Sequence, residues 1–195
     1  MPTAIVTGGA VRLGRAMALG LAQRGYHLAL HCGASRDQAE ATLARIRALG
    51  ADGEIFPCDF ADLKASAGLV EAVCGKYNDV ELLINSASNF IQQNIEHTTD
   101  ETLALTFNVN LFTPYLLMRE YRKRVGRGMI VNILDERVLR TVPTFAAYSV
   151  SKTALKHLTE LAAVEWGETV RVNGIAPGLI LPPAGQTEDY LKRNG

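Results

Sequence analysis

Six short apolar runs, separated by longer amphipathic segments, constrain the fold of this chain most strongly. Each run is continuously apolar and does not alternate with polar residues, which is typical of a strand buried on both faces of a parallel sheet. The segments between the runs have helical spacing. The predicted strands are Thr3–Gly8, His27–Cys32, Glu54–Phe60, Val80–Ala87, Gly128–Asp135 and Thr169–Ile175. The predicted helices are Gly14–Gly25, Asp37–Leu49, Leu63–Tyr77, Asp100–Arg124 and Thr144–Gly167.

This alternation of strands and helices predicts an α/β fold. Right-handed crossovers between parallel strands put helices on both faces of a sheet. We therefore expect a Rossmann-type, doubly wound parallel sheet in three αβα layers. No internal repeat or linker divides the 195 residues, which suffice for one domain with its own core. The expected organisation is a single domain over residues 1–195, in which residues 179–195 begin a substrate loop.

The charge balance and the cysteines bear on partners and location. Twenty basic and twenty acidic residues give a net charge of zero, so no long-range field favours nucleic acid or an anionic membrane. No apolar run approaches the roughly 20 residues that cross a bilayer, and the N-terminus has no secretory pattern. Cys32, Cys58 and Cys74 are spaced too irregularly for a metal site and fit free thiols in a reducing compartment. We expect a cytoplasmic protein without a metal.

A glycine-rich loop, residues 7–14 (TGGAVRLG), lies between the first predicted strand and the first predicted helix. Glycines there permit a tight turn and let backbone N–H groups approach a pyrophosphate, which the helix dipole also favours. We predict that Gly8, Leu13 and Gly14 bind a dinucleotide, the alternative being a plain strand-to-helix turn. Arg12 stands where many such loops carry glycine. Its cation would meet a cofactor phosphate or a substrate acceptor, unless it is a solvated surface arginine.

The end of the second predicted strand bears on which dinucleotide binds. Proteins specific for NAD usually carry an acid there that holds the ribose hydroxyls. This chain has no acid before Asp37 and instead offers His31, Ser35 and Arg36 as candidate ligands of a 2′-phosphate. NADP is therefore favoured over NAD. In the alternative, Arg36 only opens a solvated helix.

Tyr148 and Lys152 lie four residues apart near the start of the last predicted helix. This spacing puts both side chains on one helical face. A nearby ammonium favours the phenolate and would lower the tyrosine pKa, and such a tyrosine can act as a general acid. The spacing is common by chance, so the alternative is a tyrosine and a lysine on an exposed face.

Together, these features resemble the short-chain dehydrogenase/reductase family over essentially the whole chain. The matching motifs are Thr7-Gly8…Gly14, Asp59, Asn85-Ser86-Ala87-Ser88, Asn110, Tyr148…Lys152 and Pro177-Gly178. The resemblance implies that Asp59 and Phe60 flank the adenine of the cofactor. It also implies that Lys152 holds the nicotinamide ribose and that Asn110 supports a proton-relay water near Lys152. The cofactor cleft would be lined further by Asn85, Ser86, Ala87, Tyr148, Pro177, Gly178 and Ile180.

Position 135 departs from the family pattern, which usually has a serine thirteen residues before the tyrosine. This chain has Asp135 there, at the end of the fifth predicted strand. A carboxylate that faces a cleft is costly to bury unless it is paired. We therefore expect Asp135 to be a proton donor or a hydrogen-bond partner of Tyr148. The alternative is an aspartate that caps the following turn.

Asp135, Arg12 and Phe90 occur together in the pteridine reductase branch of the family, which this chain resembles. The resemblance implies that Phe90 stacks on a pterin opposite the nicotinamide, and that Arg12 and Ser88 contact the pterin or the cofactor phosphates. Asp135 and Tyr148 would deliver a proton to a ring nitrogen while the hydride goes to the adjacent carbon. The alternative for Phe90 is ordinary loop packing. Further resemblance lies in Leu30-His31, residues 86–90 and residues 177–183.

The resemblance thus implies an NADPH-dependent reductase of dihydropteridine- or dihydrofolate-type pterins. One alternative is a ketone reductase of the same family, in which Asp135 polarises the carbonyl in place of a serine. Another is an inactive dinucleotide-binding fragment, because family members usually continue into a substrate-covering helix and a last strand that this chain lacks. The family commonly pairs through two long helices, so we expect a homodimer or homotetramer through residues 100–124 and 144–167. In the alternative, the apolar residues of these helices form a wide stripe that faces the core of a single chain and not a partner.

Overall fold

The computed structural model describes residues 1–141, 143–182 and 189, and its described strands form one parallel sheet. Their order in the sheet is β3-β2-β1-β4-β5-β6, and every neighbouring pair is parallel. This arrangement confirms the predicted Rossmann-type fold. The strands are β1 (Thr3–Val6), β2 (His27–Cys32), β3 (Gly53–Pro57), β4 (Val80–Asn85), β5 (Gly128–Ile133) and β6 (Val170–Ile175).

The helices lie in two layers, one on each face of the sheet. Successive residues of a strand point to opposite faces, so Val6 and Leu30 pack in one apolar core while Ile5 and Ala29 pack in the other. The first core includes buried residues of the first two helices along the chain, and the second includes buried residues of the third, fifth and sixth. The three-layer prediction is therefore confirmed. The helices are α1 (Arg12–Ala22), α2 (Arg36–Ala48), α3 (Leu63–Cys74), α4 (Asp100–Phe107), α5 (Thr113–Arg124) and α6 (Ala146–Trp166).

The predicted single helix Asp100–Arg124 is interrupted by a π-helical turn over Asn108–Phe112. Pro114 explains the interruption, because it has no N–H to donate to the carbonyl of Asn110 and its ring clashes with that carbonyl. The backbone widens to a π turn at this point, as π-bulges do within α-helices. Prediction from apolar spacing alone treated the segment as regular.

The carboxyl ends of β1 and β4 lie side by side at the middle of the sheet. From β1 the strand order runs outward in one direction through β2 and β3, and from β4 it runs outward in the other through β5 and β6. β1 lies between β2 and β4, so the loops that follow β1 and β4 diverge and leave a crevice between them. The predicted substrate loop at 179–195 falls on described residues only at 179–182 and 189. In the described part of the chain, no helix combines the length and apolarity that a bilayer span requires.

Candidate active site

The glycine-rich loop joins β1 to α1 and has no room for side chains at two positions. Gly8 has a φ of +64°, and a Cβ there would lie 3.0 Å from the Cα of Ala87. A Cβ on Gly14 would lie 2.1 Å from the carbonyl oxygen of Gly8. Val11 stands at the N-cap of α1 and offers no hydrogen-bonding side chain, so the first-turn N–H groups have no side-chain cap. This geometry is the one that anion binding at a helix N-terminus requires.

Arg12 occupies a strained position in this loop. Its φ of +50° lies in the left-handed region, which costs a non-glycine residue about 1 kcal/mol. Its Nη2 donates a hydrogen bond of 3.0 Å to the carbonyl oxygen of Pro182. The guanidinium therefore bridges the glycine-rich loop and the segment that follows β6.

Thr7 fastens the glycine-rich loop to the loop after β4. Its Oγ1 accepts hydrogen bonds from the N–H groups of Ser86 at 2.9 Å and Ala87 at 3.0 Å. The side chain is 1% exposed, so both bonds are shielded from water. Thr7 was expected only as part of the glycine-loop motif, and its role as an acceptor was not predicted.

His31, on β2, supports the glycine-rich loop through a hydrogen bond to its backbone. Its Nδ1 accepts from the N–H of Gly8 at 3.1 Å, and its Nε2 donates to the carbonyl oxygen of Cys58 at 2.9 Å. The ring stacks on Phe60, with centroids 3.7 Å apart and planes 4° from parallel. Burial lowers the pKa of His31 to about 4, against a weaker opposing effect of its bond to Cys58. The ring is therefore neutral at physiological pH, as an accepting Nδ1 requires.

This geometry does not match two predictions for the adenine end of a cofactor. Both nitrogens of His31 are engaged within the protein, so neither is available to a 2′-phosphate. Phe60 is 5% exposed and packs in the core, so its ring does not project toward a ligand. Ser35 stands at the N-cap of α2, and the exposed Arg36 pairs with Glu40 at 3.0 Å.

A cavity of about 340 Å³ brings together most of the predicted site residues at the carboxyl end of the sheet. This volume is within the range of small-molecule pockets. From the glycine-rich loop and the loop after β4, it is lined by Gly8, Val11, Arg12, Leu13, Gly14, Ser86, Ala87, Ser88 and Phe90. On the opposite side it is lined by Ile133, Leu134, Asp135, Tyr148, Lys152, Pro177 and Gly178.

Other predicted site residues lie outside this cavity. Asp59 is exposed and its Oδ1 accepts from the N–H of Ala61 at 2.9 Å. Asn85 is buried and donates to Asn132 Oδ1 at 2.8 Å. Predicted site residues that do not line the cavity are His31, Ser35, Arg36, Asp59, Phe60, Asn85, Asn110 and Ile180. The apolar lining residues Val11, Ile133 and Leu134 were not predicted.

Asp135 is the centre of a hydrogen-bonded group on the cavity wall. The Tyr148 hydroxyl donates to Asp135 Oδ2 at 2.8 Å. Asp135 Oδ1 accepts from the N–H of Arg137 at 2.8 Å, which caps a 3₁₀ turn over Glu136–Leu139. The predicted partnership with Tyr148 and the alternative of a turn cap therefore both occur, one at each oxygen.

The pKa of Tyr148 is raised, whereas the sequence predicted that Lys152 would lower it. Burial is the main cause, and the hydrogen bond to Asp135 adds to it because the neutral phenol donates to a carboxylate. The Lys152 Nζ donates instead to the carbonyl oxygen of Ile133 at 2.7 Å and lies 5.8 Å from the Tyr148 ring centroid. Burial lowers the pKa of Lys152 to about 8, with Asp135 acting in the opposite direction.

Asn110 lies behind the cavity in the π-helical turn. Its Oδ1 accepts from Ser88 Oγ at 3.1 Å and from the N–H of Asn89 at 3.0 Å. Its Nδ2 donates to the carbonyl oxygen of Asn89 and to Ser151 Oγ, each at 3.2 Å. These four bonds use the full capacity of the side-chain amide, so a relay water would have to bind the backbone of Asn110, and the predicted support of such a water stays a prediction. Asn110 instead joins the loop after β4 to α6.

Phe90 is 53% exposed and forms an aromatic cluster at the cavity. Its ring stacks on Phe145, with centroids 4.3 Å apart, and meets the Tyr148 ring edge-on at 4.7 Å. One face of Phe90 is thus packed on protein, as the loop-packing alternative expects, while the residue still lines the cavity. The sequence interpretation missed Phe145 and also Arg137, which lies only two residues after Asp135.

Comparison with known proteins finds similarity over nearly the whole chain. The short chain dehydrogenase family profile matches residues 2–190. An uncharacterised oxidoreductase of Mycobacterium tuberculosis is 33% identical over 190 residues, which cover 93% of this chain and 70% of that protein. Similarity of this extent includes both the glycine-rich loop and α6.

Solved structures also resemble the chain. FolM alternative dihydrofolate reductase 1 from Brucella canis, complexed with NADP, is 35% identical with a TM-score of 0.89, covering 98% of this chain and 78% of that chain. An NAD⁺-bound xylitol dehydrogenase is 27% identical with a TM-score of 0.86, covering 93% of this chain and 71% of that chain. The two differ in the cofactor bound and in the class of substrate named.

Proposed function

Because this chain belongs to the short-chain dehydrogenase family, we propose that it is an NADPH-dependent reductase of a pterin or dihydrofolate-type ring. The observation that carries the proposal is the 2.8 Å hydrogen bond from the Tyr148 hydroxyl to Asp135 on the cavity wall. Similarity to the Brucella canis dihydrofolate reductase, at 35% identity, supports the same class of substrate. The coarser conclusion, an oxidoreductase of this family, does not depend on the substrate.

The chemistry of a carboxylate at position 135 distinguishes the two substrate classes. An ionised carboxylate is an acceptor only, so it attracts a ligand N–H and repels the lone pairs of a ketone oxygen. A reduced pterin ring carries N–H groups, whereas a simple ketone presents only an acceptor. Arg137 contacts both Asp135 oxygens at 3.3 and 3.2 Å, which places a cation directly against the carboxylate. Asp135 is therefore suited to orient a nitrogen heterocycle while Tyr148 holds the proton to be delivered.

The residues around the cavity fit a dinucleotide. The close backbone approach at Gly8 and Gly14, and the uncapped first turn of α1, suit a pyrophosphate. Lys152 lines the cavity with N–H donors beyond the one given to Ile133, which suits ribose hydroxyls. When bound, the nicotinamide supplies the hydride. Arg36 and Ser35 would hold a 2′-phosphate, in agreement with the NADP complex of the Brucella canis protein.

The second candidate is a carbonyl or alcohol oxidoreductase of the same family. Similarity to xylitol dehydrogenase favours it, and so does the presence of Tyr148 and Lys152 in one cavity. A non-catalytic dinucleotide-binding protein is the third. A non-catalytic binding protein would bind NADPH in a titration, whereas an unfolded chain would not. It would also turn over no substrate, which distinguishes it from the pterin reductase and from the carbonyl or alcohol oxidoreductase.

Steady-state NADPH oxidation by the purified protein tests the proposal. Dihydrobiopterin and dihydrofolate are compared with a panel of ketones at equal concentrations, and each reaction is repeated with NADH. We expect turnover of the pterins with NADPH. Good ketone turnover without any pterin turnover would contradict the proposed substrate, and a preference for NADH would contradict the proposed cofactor.

We also propose that the protein is a cytoplasmic homodimer or homotetramer that pairs through residues 100–124 and 144–167. Apolar side chains on these helices are exposed, among them Tyr115 (51%), Leu161 (54%) and Val164 (90%). Exposed apolar groups at helical spacing suit a helix-to-helix interface. Light scattering after size exclusion gives the mass directly, and a monomer at micromolar concentration would contradict this proposal.

A further inference from the structure

We propose that Arg137 is a positioning residue that orients the Asp135 carboxylate as the acceptor of the Tyr148 hydroxyl. The expected kinetic effects rest on the proposed function. The contacts between Arg137 and Asp135 do not depend on that function. Arg137 acts through Asp135, because it is not among the residues that line the cavity. Nothing in the spacing of the sequence motifs identified it.

Arg137 binds Asp135 through both its backbone and its side chain. The N–H of Arg137 donates to Oδ1 at 2.8 Å, which fixes the rotation of the carboxylate. Nη1 lies 3.3 Å from Oδ1 and 3.2 Å from Oδ2, the oxygen that accepts from Tyr148. The side chains of Arg137 and Asp135 are only 25% and 16% exposed, so water screens this pair less than a surface pair.

The aromatic cluster fixes the guanidinium in turn. Its central carbon lies 5.1 Å from the Phe90 centroid and 4.9 Å from the Phe145 centroid. The Nε of Arg137 is buried and has no hydrogen-bond partner within the described part of the chain. The arginine therefore has two anchors, the Asp135 carboxylate and the two rings, and little freedom to turn toward another partner.

Other charged groups near Asp135 are weaker candidates for this role. From α6, Lys152 faces Asp135, but its Nζ donates to a backbone carbonyl and burial lowers its pKa to about 8. Tyr148, also on α6, is neutral. On the 3₁₀ turn, Glu136 is an acid that pairs with Arg140 and supplies no cation to Asp135. From the glycine-rich loop, Arg12 lines the same cavity but bonds Pro182.

Removal of the Arg137 cation has a defined chemical consequence. A guanidinium is always charged, whereas a half-buried carboxylate without a cation takes up a proton more readily. A protonated Asp135 carries an O–H donor and has less acceptor capacity, so it would receive the Tyr148 hydroxyl and a substrate N–H less well. The variant should therefore lose activity at the acid side of the pH profile first.

The experiment compares Arg137→Met and Arg137→Lys with the control Arg140→Met. Arg140 directly follows the same turn, is paired with Glu136 and has no contact with Asp135 among the hydrogen bonds and ion pairs of the described chain. The first measurement is the pH dependence of kcat for pterin reduction. The second needs no turnover: carbon-13 NMR follows protonation of the Asp135 carboxyl in the substrate-free protein, with Asp135→Asn giving the assignment.

For Arg137→Met we expect the NMR midpoint and the acid limb of kcat to rise by about one pH unit, a tenfold change in protonation. Arg137→Lys should give a smaller rise, and Arg140→Met none. A lower melting temperature with both pH curves unchanged would mean a purely structural role and would overturn the proposal. Absence of pterin turnover in the wild type would refute the proposed function, while the NMR titration would still decide the role of Arg137. Should Arg137→Met fail to fold, Arg137→Gln takes its place because it also removes the cation: a midpoint and acid limb identical to wild type would overturn the proposal.

Discussion

Acidification from about pH 7.5 to about pH 5 should destabilise the folded protein by about 2 kcal/mol through His31 alone. Nδ1 of the buried ring accepts from the N–H of Gly8 and Nε2 donates to the carbonyl oxygen of Cys58, so the folded state holds the neutral ring. Burial lowers the pKa of His31 from 6.5 to about 4. The unfolded chain therefore binds a proton in this range of pH while the folded chain does not. Stability rises with pH across the window and is fully present above the unfolded pKa.

Urea unfolding at a series of pH values, followed by the fluorescence of Trp166, measures this contribution. His31→Gln removes the titrating group, and His157→Gln is the matched control because His157 is 71% exposed. The free energy of unfolding of His31→Gln should be lower at neutral pH but should lose about 2 kcal/mol less than wild type on acidification. His157→Gln should follow the wild type. Equal pH dependence in His31→Gln and wild type would refute the assignment of a buried neutral ring.

Three further predictions concern the cavity. Tyr148→Phe should abolish turnover and leave NADPH affinity nearly unchanged, because only the hydroxyl that bonds Asp135 is lost. The assay is NADPH oxidation, and full activity of the variant would refute the role assigned to the hydroxyl. Gly14→Ala puts a Cβ 2.1 Å from a backbone oxygen, so it should lower the free energy of unfolding by about 2 kcal/mol or more and weaken NADPH binding. Calorimetry tests both effects, and unchanged stability would contradict the close approach. Arg36→Glu should weaken NADPH binding at least about tenfold and spare NADH, as measured by fluorescence titration, and equal losses for both would exclude a 2′-phosphate contact.

The strands and the glycine-rich loop could be predicted because their signals are local. A continuous apolar run indicates a strand buried on both faces, and each predicted strand is found within a few residues of its expected limits. The third strand ends at Pro57 rather than Phe60, because Asp59 turns the chain by accepting from the N–H of Ala61. Such a turn depends on one side chain and is not visible in hydrophobic periodicity.

The differences between the expected and the observed contacts at the site have a common cause, which is that contacts between distant segments decide the role of a side chain. Spacing put Lys152 beside Tyr148, but the ammonium bonds the carbonyl oxygen of Ile133, nineteen residues away. His31 was assigned to a ligand, yet its nitrogens bond the N–H of Gly8 and the carbonyl oxygen of Cys58. A four-residue spacing or a strand end restricts where such groups lie but not which partner they take.

The proposed substrate class is decided by the substrate preference of wild type and Asp135→Ser. Wild type should reduce dihydrobiopterin better than ketones. Asp135→Ser should lose about 100-fold in kcat/KM for the pterin and gain on ketones, because a hydroxyl donates to a carbonyl oxygen where the carboxylate repels it. Cofactor affinity should be the same in both proteins. Equal pterin kinetics in the two proteins, or a wild type that reduces ketones and no pterin, would contradict a pterin substrate held by Asp135.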